Sequence, residues 1–157
     1  EVVNFIKKIM NNNGTKPVDF FHKKLGKIMW EKCGMSRNKS DLKKAILEIE
    51  LLTKQFYKEV LIPGSDSEYN EELAKAGRVA DFLELGALFA QDALIREESC
   101  GGHFREEYQT KEGEALRNDA TYNFVSAWEY GGAESNPILH KELLEFNFVE
   151  LKSRSYK

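Results

Sequence analysis

The clearest pattern of apolar and polar positions runs from Asn70 to Arg105, NEELAKAGRVADFLELGALFAQDALIREESCGGHFR. Leu73, Ala76, Ala80, Leu83, Ala87, Ala90 and Leu94 recur at steps of three and four, which marks one face of an α-helix. Val79, Phe82, Leu85, Phe89 and Ala93 form a second apolar face, so this helix is expected to pack between neighbours. Its small residues (Ala76, Gly77, Ala80, Gly86, Ala87) would let a partner helix come close. Charges at Arg78, Asp81, Glu84 and Asp92 break the run, which argues against a membrane span. Glu97 and Glu98 are expected in the last turn, where the macrodipole disfavours negative charge, so a cationic partner is expected to meet them. Arg96, Arg105 or solvent would serve, as would an ion pair to another domain. Gly101–Gly102 is read as the stop.

The remaining segments extend the pattern. Val2 to Met10 is a short amphipathic piece, broken at Asn11–Asn12–Asn13–Gly14. A second helix is expected to be capped by Thr15, with Pro17 just inside it, and to end at Cys33 before Gly34. Its apolar face is Phe21, Leu25, Ile28 and Met29. Ser40 is expected to cap a third helix reaching about Val60, with the stripe Leu42, Ala45, Ile46, Ile49, Leu52 and Phe56. Asp66 or Ser67 is expected to cap the long helix. Helices of similar length with short links predict a mainly α fold, a three-helix antiparallel bundle. After His103 the period changes to two: Tyr122, Phe124, Ser126, Trp128 and Tyr130 alternate, and Glu142 to Lys152 is read as a second extended run after a Gly131–Gly132 turn. The expected organisation is residues 1–105 as the bundle and 106–157 as an extended tail with short strands, packed on the bundle or on parts absent from this chain. The tail's aromatic residues would suit a buried interface.

Composition narrows the class. Of 157 residues, 41% are hydrophobic and 31% charged, as in soluble globular proteins. The net charge of −3 conceals a division, with 13 Lys/Arg against 7 Asp/Glu in residues 1–60 and 10 against 19 beyond. The lysines are spread around helices without interleaved aromatics, so attraction between the halves or to a partner subunit is favoured over nucleic acid. Without an initiator Met or an apolar leader, and starting in mid-pattern at Glu1, the sequence is expected to be a piece of a longer protein. Two cysteines, Cys33 and Cys100, suit a reducing compartment. The spacing of these cysteines with His22, His103 and His140 fits no zinc pattern, so no metal site is expected. The phosphate-loop and dinucleotide fingerprints are missing. Cys100 and His103 leave room for a thiolate–imidazole pair, a weak signal.

REESCGGHFREEY at 96–108 resembles a motif, Glu–Ser–Arg–Gly–x–His–x–Arg–x–Asp/Glu, found near the C-terminus of flavoprotein subunits of succinate dehydrogenase and fumarate reductase. The preceding helix resembles the family's third bundle helix. IMWEKCGMSRN at 28–38 resembles a helix ending in Met–x–x–x–Gly–x–x–Arg, and residues 106–130 with the closing RSYK resemble the family's tail. The likeness covers about Pro17 to Lys157. It departs at Cys100, where the motif has Arg, and a thiol cannot make a guanidinium's directed hydrogen bonds.

The resemblance implies a spectrin-repeat-like three-helix bundle within a parent oxidoreductase of the tricarboxylic acid cycle and electron transport. That parent would interconvert succinate and fumarate through FAD and pass electrons to an iron–sulfur subunit and a quinone. It implies that Glu98, Cys100, His103 and Arg105 form an interdomain motif facing the flavin-binding and capping domains, with no catalytic, FAD-binding or metal-binding residue in this piece. It also implies a place on the cytoplasmic face of the inner membrane, with the membrane cytochrome b subunit an indirect partner. The alternative is a stand-alone helical scaffold binding partners through its aromatic tail.

Overall fold

The computed structural model describes residues 2–132 and 135–152. The chain is mainly α-helical, as the pattern predicts. In order, it has α1 (Val2–Met10), β1 (Lys16–Pro17), α2 (Val18–Cys33), α3 (Lys39–Glu59), β2 (Val60–Leu61), α4 (Glu71–Ile95), α5 (Asp119–Tyr122), β3 (Phe124–Glu129) and β4 (Ile138–Leu143). It divides into two compact units, Glu1–Leu94 and Ile95–Lys157. Among the described residues no helix is long and apolar enough to cross a membrane.

The first unit is built on the helical stripes. Phe21, Leu25 and Ile28 of α2, Leu42, Ala45, Ile49, Leu52 and Phe56 of α3, and Ala76, Val79, Ala80, Leu83 and Ala90 of α4 share one apolar core. Each buried Leu, Ile or Phe contributes about 1.5–3 kcal/mol of hydrophobic stabilisation. Phe21 and Phe56 meet edge to face at 5.3 Å, the geometry their ring quadrupoles favour. Helix α1 adds buried Ile9 and partly buried Phe5. The turn after it is tied down by the Asn12 amide, which donates to the Tyr57 carbonyl at 2.9 Å. β1 and β2 then pair in parallel, Lys16 with Val60 and Pro17 with Leu61. At Gly86 an added Cβ would come within 3.4 Å of Leu25 Cδ1 and Met29 Sδ, so its lack of a side chain does admit a neighbour. At Gly77 a Cβ would meet nothing, and close packing does not account for that glycine.

Several local readings are corrected. Only part of the second face of α4 is covered: Val79 and Ala93 are buried, whereas Phe82, Leu85 and Phe89 are exposed. Helix α2 starts at Val18 after an extended Pro17, with no side-chain cap, so Thr15 does not cap it. The cap of α3 is Asn38, not Ser40: its Oδ1 accepts the Asp41 N–H at 2.9 Å while its amide donates to Asp41 Oδ2 at 3.0 Å. Asn70, not Asp66 or Ser67, begins α4, accepting the Leu73 N–H at 3.0 Å. Its amide donates to the Pro63 and Ser65 carbonyls, so one side chain closes the loop and starts the helix. An asparagine that donates and accepts at once outcompetes a nearby serine for this position.

In the second unit β3 and β4 form an antiparallel hairpin with Phe124 opposite Leu143 and Glu129 opposite Ile138. Within β3 the predicted alternation is present: Phe124, Ser126 and Trp128 are less exposed than Val125, Ala127 and Glu129. Tyr122 lies in α5, before the strand. The second strand is Ile138–Leu143, so the extended run expected at Glu142 to Lys152 is displaced. ELLEFNFVELK has high apolar content, but Phe148 within it is almost fully exposed and pairs with nothing in the hairpin register. The RSYK ending lies outside the described residues.

Two carboxylates of the first unit should respond to acid. Asp41 is held below its ordinary range chiefly by the Asn38 hydrogen bond, then by Lys44. Glu59 is held below its range chiefly by the Lys16 hydrogen bond, then by Gln55. A carboxylate whose folded pKa is depressed stabilises the fold above its unfolded pKa and loses that contribution as pH falls through the folded value. Asn38→Ala is therefore expected to cost about 1 kcal/mol near neutral pH, with part of the cost disappearing in acid as Asp41 takes up its proton. Urea unfolding of both chains at neutral and acid pH checks this.

Candidate functional site

The sequence motif lies wholly in the second unit, and its geometry begins where α4 stops. A helix end leaves carbonyls without intrahelical partners. Here the Tyr122 hydroxyl donates to the Ile95 carbonyl at 3.2 Å. His103 Nε2 lies 2.9 Å from the Arg96 carbonyl. A carbonyl only accepts, so that ring nitrogen carries the hydrogen.

Arg96 then links distant segments. Its guanidinium donates to the carbonyls of Tyr122 at 3.0 Å and Phe124 at 2.9 Å. It also pairs with Glu98 Oε1 at 3.0 Å, and its Cζ sits 4.8 Å from the centroid of the Phe124 ring. Lys141 Nζ lies 4.6 Å from the same ring, so two cations attend one buried aromatic. Glu98 is only 3% exposed, and its second oxygen accepts the Asn118 backbone N–H at 2.8 Å. Of the partners expected for the acids at the helix end, Arg96 is the one Glu98 takes. Glu98 lies three residues beyond the helix, which ends at Ile95.

Ser99 and Arg105 form the next tier, and both are fully buried. Ser99 Oγ accepts the Arg105 N–H at 2.8 Å and donates to the Arg105 carbonyl at 3.2 Å. The Arg105 side chain pairs with Glu107 through Nε at 3.1 Å and lies over the Tyr108 ring. The Tyr108 phenol is pushed above its ordinary pKa by burial first and by Glu97 next. Arg117 is held in its charged form chiefly by a hydrogen bond to Asp119.

Gly101 and Gly102 do not stop the helix. They are the two central residues of a tight turn in which the backbones of Cys100 and His103 exchange hydrogen bonds at 2.8 and 3.0 Å. Gly101 takes a φ of 57° there, a region glycine enters freely. Of the four residues singled out in the sequence, the turn joins Cys100 and His103, and the four differ in burial: Glu98 and Arg105 are buried, His103 is half-buried and Cys100 is exposed. The His103 ring is engaged with the Arg96 carbonyl rather than presented as a base for Cys100. Among the described residues no cluster of His, Cys, Asp or Glu could hold a metal ion. Sequence reasoning missed Ser99 and Asn118. The available signal for Ser99 was its place between Glu98 and the glycines, where a small hydroxyl can bond the backbone on either side.

Two outcomes follow from this geometry. Arg96→Met leaves Glu98 buried and uncompensated, at a cost of about 3–5 kcal/mol, which hydrogen exchange should report as lost protection of the β3 and β4 amides while α2 and α3 keep theirs. For the thiols, Cys33 is buried and its pKa is raised, chiefly by burial. A thiol reagent at neutral pH should modify Cys100 readily and Cys33 only on unfolding, and equal rates at the two would contradict the structure.

Comparison with known proteins agrees with the motif. A family model described as the fumarate reductase flavoprotein C-terminus matches residues 22–156. The fumarate reductase flavoprotein subunit of Helicobacter pylori strain J99 is 28% identical over 143 residues, 91% of this chain and 19% of that protein. The chain thus spans about a fifth of the length of the curated relatives it matches. In fold it is similar to a quinol fumarate reductase FrdA from E. coli, with a TM-score of 0.80 and 23% identity over 95% of this chain and 24% of that one. It is also similar to a chain of the Mycobacterium smegmatis Sdh1 complex, with a TM-score of 0.74 and 18% identity over 94% of this chain and 24% of that one. With a family match running through the second unit and most of the first, the chain belongs to the fumarate reductase flavoprotein C-terminal family.

Proposed function

We propose that this chain is the C-terminal helical domain of a succinate dehydrogenase or fumarate reductase flavoprotein subunit, with a structural and docking role. In this reading α2, α3 and α4 form an antiparallel, spectrin-repeat-like three-helix bundle. The parent interconverts succinate and fumarate through FAD, and passes electrons to an iron–sulfur subunit and a quinone. Membrane association comes through the iron–sulfur and cytochrome b subunits, on the cytoplasmic face of the inner membrane.

The observation that supports a docking role is the chemistry of the motif itself. The charged groups of Glu98 and the backbone-anchoring hydroxyl of Ser99 are spent on holding the second unit together. They shape a turn whose exposed member is Cys100. The interdomain role of Glu98, Cys100, His103 and Arg105 is then to fix and present this turn to the flavin-binding and capping domains. The Gly101–Gly102 turn leads into His103 and irregular backbone, not directly into a helix N-terminus of the kind that receives a pyrophosphate, which supports placing the cofactor elsewhere. FAD is assigned to the other domains of the parent, and no step of the reaction to this chain. The exposed apolar residues Leu143, Phe146, Phe148 and Val149 suit burial against those domains better than a life in water.

The full-length product of the gene should carry flavin absorbance and oxidise succinate or reduce fumarate, while the isolated 157-residue chain should do neither. A gene that encodes no flavin-binding segment ahead of Glu1 would sink this reading and favour the scaffold. In the full-length protein, Cys100→Arg restores the residue common in the motif, and is expected to leave activity intact and to raise the thermal midpoint if the turn contacts another domain.

A further inference from the structure

We infer that Asn13 is a site of spontaneous covalent modification, deamidation through a cyclic imide, and that the fold itself imposes the reactive dipeptide. The chain has three consecutive asparagines before Gly14, and the structure treats them differently. The Asn12 side chain is engaged with the Tyr57 carbonyl at 2.9 Å. The backbone N–H after Asn11, which would have to attack it, belongs to Asn12 and donates to the Ile9 carbonyl at 3.4 Å. Asn13 is exposed, lies in irregular backbone between α1 and β1, and is followed by glycine. Glycine offers the attacking nitrogen no neighbouring side chain to hinder it.

That glycine is required. A Cβ at position 14 would lie only 2.2 Å from the Glu59 carbonyl oxygen and 2.5 Å from that of Val60. Both obstacles are backbone, which cannot swing aside as a side chain can. The packing of this crossing against the end of α3 and β2 therefore excludes every other residue, and Asn13 is bound to precede a glycine.

In the reaction the Gly14 backbone nitrogen, having lost its proton to solvent, attacks Asn13 Cγ. A bond forms between them, and Nδ2 takes up a proton and leaves as ammonia. Water then opens the imide. Cleavage at Cγ leaves aspartate at position 13 in a normal chain, and cleavage at the main-chain carbonyl leaves an isoaspartyl linkage with one extra backbone carbon. Either product adds a carboxylate beside β1. The isoaspartyl product also lengthens the chain immediately before a residue that has no room to move, so it should loosen the pairing of β1 with β2.

The test is to hold the native chain and a urea-unfolded sample at mildly alkaline pH and follow each asparagine by peptide mass mapping, with isoaspartyl methyltransferase reporting the rearranged linkage. The expected result is loss of the Asn13 amide in the native chain, with Asn11 and Asn12 retained, and a lower thermal midpoint for the aged material. Asn13→Gln should abolish the conversion and the ageing of the midpoint. Retention of Asn13 in the native chain while the unfolded chain reacts would overturn the inference, as would conversion at Asn11 or Asn12 in preference.

Discussion

The second unit depends on one guanidinium. Arg96 leaves the end of α4 and satisfies the carbonyls of Tyr122 and Phe124, the buried carboxylate of Glu98 and the face of the Phe124 ring. This unit offers little apolar core of its own: Phe124 is its only buried hydrophobic residue among those described. Where hydrophobic burial is scarce, polar groups must be satisfied almost completely, because a buried charge that loses its partner costs several times what an ordinary hydrogen bond contributes. Ser99 meets the same constraint through a reciprocal pair of bonds with the Arg105 backbone. The first unit works differently. Its core is a set of interlocking helical stripes, and its ion pairs, such as Lys54 with Glu50, lie on exposed surface where each is worth little.

That difference decides what could be read from the sequence. Helical periodicity reports burial directly, so the stripe Leu42, Ala45, Ile49, Leu52 and Phe56 appears in the core as read. Caps were harder, since Ser40 and Asn38 both qualify by residue type and only the geometry of the entering chain decides between them. Apolar content alone does not fix pairing, so the second strand lies at Ile138–Leu143 and not along ELLEFNFVELK. The residues that do pair, Ile138 to Leu143, include His140 and Lys141, whose partners are set by β3 across the hairpin. The motif was legible as a motif, but its internal wiring was not. Nothing in REESCGGHFREEY states that the two glycines turn the chain, or that Arg96 reaches past it to Phe124.

The family likeness and the physical reading meet at the buried members of the motif. Glu98 and Arg105 would pass for reactive groups on residue type alone. Their burial and their short bonds within the unit mark them as groups that hold a shape. Cys100 stands at the opposite extreme, exposed on a turn that the other residues build.

The reach of Arg96 also bears on the order in which the chain can fold. The backbone partners of Arg96 and Glu98 lie 20 to 28 residues further on. During synthesis both side chains therefore emerge well before the segment that covers them, and until Tyr122 has left the ribosome the Ile95 carbonyl lacks the hydroxyl that later bonds it. The polar network around Arg96 can be completed only once that segment is out.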